Sequence, residues 1–145
     1  MLTRSILLVS ILASTACAGK RGSSAHLAAD PQAAVREFMA AVKANDLVAM
    51  GSLWGSDKGP ANDWMKNDEL RKRLTVIRSV LVHDSLIVEA GSLPGNSEAE
   101  RVVRVRVMRG RCVPVVPFTT RHYQTRWLVS AIDLDAAGNP ARPCP

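Results

Sequence analysis

The run DPQAAVREFMAAVKANDLVAMGSLW, Asp30 to Trp54, constrains the fold more than any other stretch, because it carries helix start, face and stop signals together. Asp30 offers a carboxylate to the first free amides of a helix, and Pro31 fills the first turn, where a missing N–H costs nothing. Val35, Phe38, Met39 and Val42 recur at i, i+3, i+4, i+7 and so share one face, which needs a covering layer. Asn45-Asp46 ends the run: Asn tolerates the left-handed position after a helix, and Asp caps a second, short helix with Leu47, Met50 and Leu53 on one side. Residues 55–67, GSDKGPANDWMKN, are dense in Gly, Pro, Asn and Asp and read as a loop. Asp68 is expected to cap a third helix, from Glu69 to about Val82, with Leu70, Leu74, Ile77 and Leu81 on its inner face.

After His83-Asp84-Ser85 the apolar period changes to two. Leu86 and Val88 alternate with Ile87 and Glu89, residues 91–96 turn the chain, and Val103, Val105 and Val107 oppose Arg104 and Arg106. The segment Cys112 to Phe118 is apolar but holds Pro114 and Pro117, which donate no ladder bonds, so an edge strand or irregular crossing is expected. The last strand, about Tyr123 to Leu134, is apolar on both faces, which predicts a central position. Helices followed by about four antiparallel strands define an α+β domain over 30–135, with helices on one face of a curved sheet. A length of 145 residues at 47% hydrophobic content suits one core rather than two. Residues 136–145, AAGNPARPCP, read as a loop tail.

The first sixteen residues stand outside that domain. Arg4 precedes the apolar run Ile6 to Leu12, and small residues Ala13-Ser14-Thr15-Ala16 lead directly into Cys17. This is the layout of a secretory signal, and the run is about half the ~20 apolar residues a membrane span needs. Small residues followed at once by Cys resemble a bacterial lipoprotein signal, with Ser14 standing where that signal more often has Leu. The resemblance implies cleavage before Cys17, a thioether to diacylglycerol and an acylated amine, and so a lipid-anchored protein of the cell envelope; plain secretion is the alternative. Residues 17–29 then form a small, polar tether carrying His26. Cys112 and Cys144 are the two thiols left once Cys17 is used, and in an exported chain they are expected to be bonded to each other.

Removal of Arg4 leaves 18 basic against 13 acidic residues, a formal charge of +5. Arg101, Arg104, Arg106, Arg109 and Arg111 are concentrated in one stretch, but it lacks the interleaved aromatics that stack bases, and no nucleic-acid partner is expected. A solvated strand face accounts for these arginines, with attraction to anionic headgroups as the functional alternative.

Asp30-Pro31 with Ala34-Val35, Phe38 and Ala41, then Asn45-Asp46 and Leu53, and the closing Arg126-Trp127-Leu128-Val129 with Ile132-Asp133-Leu134, resemble the nuclear-transport-factor-like superfamily. That group includes ketosteroid isomerases, polyketide cyclases and many exported domains. The resemblance implies a cone-shaped fold with an internal pocket. Isomerase-like members place a tyrosine on the first helix; here that helix has none, and the sole tyrosine, Tyr123, opens the last strand. No catalytic residue carries over. His26, His83 and His122 are scattered, so neither a metal nor another cofactor is expected. Cys112 with His122 as thiolate and base is a minor alternative to the disulfide. The expected function is a non-catalytic domain, anchored to a membrane, that binds a protein partner or an apolar small molecule. Phe38, Met39, Trp54, Trp64, Tyr123 and Trp127 are the expected pocket lining. An enzyme of the cyclase or isomerase kind is the alternative, and a buried, partnerless acid or His would favour it.

Overall fold

The computed structural model describes residues 28–142; Cys17, His26 and Cys144, and with them the signal and most of the tether, lie outside the described residues. In chain order the elements are helices α1 (Pro31–Ala44) and α2 (Leu47–Leu53), strands β1 (Gly55–Ser56) and β2 (Gly59–Pro60), helices α3 (Ala61–Trp64) and α4 (Asn67–Leu81), and strands β3 (Ser85–Val88), β4 (Leu93–Pro94), β5 (Glu100–Met108), β6 (Val115–Tyr123) and β7 (Arg126–Ile132).

The first helices form for the reasons their caps predict. The Asp30 carboxylate accepts from Ala33 N at 2.6 Å, Asn45 takes the left-handed conformation at φ 56°, and the Asp46 carboxylate accepts from Ala49 N at 2.9 Å. The start of α4 differs from expectation. Lys66 occupies the cap position without a side-chain bond, and Asp68 and Glu69 lie inside the first turn. There their charge still opposes the positive end of the helix dipole.

The expected loop 55–67 is largely ordered: β1 and β2 form a two-residue hairpin and α3 adds one helical turn. Gly59 makes this possible. It sits at φ 101°, and a Cβ there would meet the Tyr123 ring at 3.0 Å, so both the backbone and the close approach require glycine.

The α+β class holds, with a five-stranded sheet in place of the expected four. The order is β3-β5-β6-β7, and β4 pairs with β5 on the β3 side; every pairing between these strands is antiparallel. Val103, Val105 and Val107 point inward and are buried, while Arg104 and Arg106 point to solvent and share Glu89 at 3.6 and 3.7 Å.

Two strand positions correct the sequence expectation. The Pro-containing segment does not run at an edge, because β6 lies between β5 and β7. The Pro117 carbonyl accepts from Asp133 N at 3.0 Å, so its missing N–H faces the β7 side just where β7 ends, and no ladder bond is lost. A register shift at Thr119/Thr120 follows. Conversely, β7 is the edge strand rather than a central one. Its two apolar faces are covered by other means: Val129 joins the core under the helices, and Leu128 lies against Gly55 of the β1–β2 hairpin. Trp54 bridges Val129 in parallel and Trp127 N donates to Ala28 O at 3.0 Å, so the outer edge is not left open.

Beyond β7 the chain is less free than a loop tail. Ala137 is buried in the core, and Arg109 donates to Ala137 O at 2.7 Å and to Val80 O at 2.9 Å, tying the tail to the end of α4.

Candidate functional site

The six side chains expected to line one pocket separate into three places. Phe38 and Met39 have 0% exposure, as do Met50, Val103, Val105, Val116, Phe118 and Val129 of the same cluster. Zero exposure means that no water-sized sphere touches them, from outside or from an inner void. The space between α1 and the sheet is therefore closed by packing at these positions.

Trp54, at the end of α2, is half-buried. It lines a shallow groove of about 390 Å³ with Lys72, Arg73, Val76, Ile77 and Leu134 on the outer side of α4. Arg73 is held by Glu69 at 2.6 Å, and Lys72 makes no ion pair among the described residues at that rim.

Trp64, Tyr123 and Trp127 lie at the end of the sheet where β6 turns into β7, with Tyr123 and Trp127 on opposite faces of the sheet. The turn is tight, with Gln124 at φ 53°, and Gln124 Nε2 donates to the Tyr123 hydroxyl at 3.2 Å. The Tyr123 ring stands over Gly59, whose carbonyl accepts from Trp64 Nε1 at 3.1 Å. Lys58 Nζ lies 5.5 Å from the centre of the Trp64 ring, within cation–π range. The Trp127 ring meets His122 edge-on, with centroids 5.1 Å apart.

Several ionisable groups that a catalytic reading would use are committed to the fold. Glu100, nearly buried, pairs with Arg121 at 2.7 Å across the β5–β6 register and accepts from Asn96 N at 3.1 Å. No signal in the sequence marked this pair, because it depends on which residues face each other between strands. The buried His83 donates from Nδ1 to Leu81 O at 2.9 Å, Asp84 accepts from Gly110 N at 2.7 Å, and Asp133 accepts from Ala136 N at 3.0 Å. Cys112 and His122 do not meet. Cys112 precedes β6 and His122 lies near its far end, and the seven steps from Val115 to His122 alone span ~23 Å. Cys112 is not free.

A second groove, of about 810 Å³, lies at the opposite end of the sheet and is lined among others by Arg109, Arg111, Cys112, Val113, Asp135 and Arg142. Among the described residues, no group of three His, Cys, Asp or Glu is placed to hold a metal, and no helix is long and apolar enough to cross a membrane. No family model, curated protein or solved structure matches the chain.

Proposed function

We propose that the chain is an exported domain held through lipid on Cys17 to a membrane of the bacterial cell envelope, acting by surface binding to a partner without catalysis. The observation that carries this reading is the packed interior. With Phe38, Met39, Met50 and Phe118 at 0% exposure, a substrate has no room between the helices and the sheet. An apolar small molecule is restricted to surface grooves such as the one at Trp54. The cyclase or isomerase alternative loses support at the same positions, since Glu100 and His83 are buried with partners rather than without them. The nuclear-transport-factor-like arrangement belongs to this proposal. Helices first and sheet second, with α1 packed across β5, β6 and β7, support it, with the interior filled where the resemblance implies a pocket.

Two measurements test the proposal. Mass spectrometry of the mature N-terminus should find Cys17 as the first residue, carrying diacylglycerol and an N-acyl chain. An unmodified Cys17, or a start elsewhere, overturns the anchor. For the interior, steroid- and polyketide-like compounds should leave the melting temperature unchanged. A ligand at 100 times its Kd would add ~2.7 kcal/mol, a shift of several degrees that is easily seen. Such a shift surviving both Val76→Glu and Val113→Glu, which disrupt the Trp54 groove and the groove beside Cys112, would count against the packing argument. Turnover of those compounds that disappears on replacing Tyr123, His122 or Asp133 in a folded protein would refute the non-catalytic reading.

A further inference from the structure

The end of the domain at which its N-terminal segment enters is built differently from the rest of the surface. Ala28, the first described residue, is buried, and its carbonyl accepts from Trp127 N. From there a continuous patch runs through Arg126 and Tyr123, paired across the β6–β7 turn, to Gly59 beneath the Tyr123 ring, and on to Trp64 and Lys58. Trp64 is 42% exposed, although its indole N–H is satisfied by Gly59 O. A tryptophan with its one donor already bonded has no polar reason to remain at the surface. Its uncovered area is apolar ring, beside a tyrosine hydroxyl and an ammonium. That combination of amphipathic rings with short-range cations suits the boundary between headgroups and acyl chains.

We infer that this end, formed by the β6–β7 turn with the β1–β2 hairpin and α3, is the surface by which the domain lies on the bilayer that holds its own N-terminus. The inference rests on the anchor reading of Cys17. Net charge does not drive the contact, because Asp57 adjoins Lys58 in the β1–β2 turn and Asp63 adjoins Trp64 in α3. Aromatic insertion does. The competing surface is the far end of the sheet, where Arg109, Arg111 and Arg142 line the larger groove and where anionic lipid would be drawn.

Mean reach favours the aromatic end. Eleven steps of chain lead from Cys17 to Ala28. Read as the coil its composition predicts, such a segment has a root-mean-square span of ~18 Å. The eight steps of β6 put the far end ~26 Å beyond the β6–β7 turn. Seating the arginine end on the membrane would therefore lift Ala28 above the mean reach of its tether. Seating the aromatic end leaves the tether slack.

The test uses the full chain isolated from membranes and mixed into phosphatidylcholine vesicles with brominated acyl chains, which quench only tryptophans at acyl depth. Quenching is expected in the natural chain, and Trp64→Phe should remove most of it, since Trp54 and Trp127 are half-buried. Lys58→Glu should weaken it, while Arg111→Glu should leave it unchanged. Absent quenching, or quenching that persists fully in Trp64→Phe, overturns the inference. Loss with Arg111→Glu overturns it too, by moving the contact to the far end. Mass spectrometry of the same preparation reads the anchor separately. Trp64 quenching with an unmodified Cys17 upholds the surface and refutes the anchor; lipid on Cys17 without Trp64 quenching does the reverse.

Discussion

Phe38→Ala should lower the free energy of unfolding by ~3–5 kcal/mol, the range for deleting a buried aromatic ring. Phe38 has 0% exposure and belongs to the same packed cluster as Met39, Val105, Val116, Phe118 and Val129, contributed by α1 and three strands. Those neighbours come from different elements, so they cannot all relax into the space a ring leaves, and the cavity adds to the lost transfer energy. Denaturant titration should show a lower midpoint at unchanged slope, the signature of a stability change without a change in compactness. Trp64→Phe provides the contrast: a partly exposed side chain replaced by a smaller ring should change stability by well under half as much. A Phe38→Ala loss below ~1 kcal/mol would mean that the interior already holds space, and the closed-interior argument would fall with it.

The helices were readable because their determinants are local. Asp30, Asn45 and Asp46 each act within three residues of their own position, and the inner faces of α1 and α4 follow from spacing alone. The α4 start was misplaced because Asp68 has a cap's chemistry, yet the chain enters the helix at Lys66. Strand identity was legible too, but strand placement was not. Pro117 suggested an edge, and its harmlessness depends on where β7 happens to stop, which is a property of the partner strand. The apolar faces of β7 implied cover without saying that the β1–β2 hairpin supplies part of it. That hairpin was hidden in a run of Gly, Pro, Asn and Asp that also describes a loop, and only the Gly59–Tyr123 contact separates the two readings. The six expected pocket residues failed as a set for the same reason: aromatic character predicts burial or surface use, and tertiary position chooses between them.

The remaining large effect concerns the other end of the sheet, where Cys112 and Cys144 are expected to form a disulfide. Cys112 is not free, and it lines the same groove as Arg142, two residues short of Cys144. Two residues of chain reach at most ~7 Å, and a disulfide needs Cα atoms about 4.4–6.8 Å apart, so the bond needs little more than that the last residues cross the groove. The surroundings are already held: Arg109 ties the tail to α4 through Ala137 and Val80, and Gly110 is fixed by Asp84. Most of the effect of a bond made here falls on the unfolded chain. Closing a loop of about 33 residues should contribute ~3–4 kcal/mol by chain entropy. Cys144→Ser should therefore lower stability by about that amount, and adding reductant to the natural chain should reproduce the loss. The variant itself should not respond to reductant. Non-reducing peptide mapping should recover the Cys112 and Cys144 peptides as one species. Finding Cys112 joined to Cys17 would exclude both this pairing and a lipidated Cys17, whereas two free thiols in protein isolated from the envelope would leave the tail held by Arg109 and Ala137 alone.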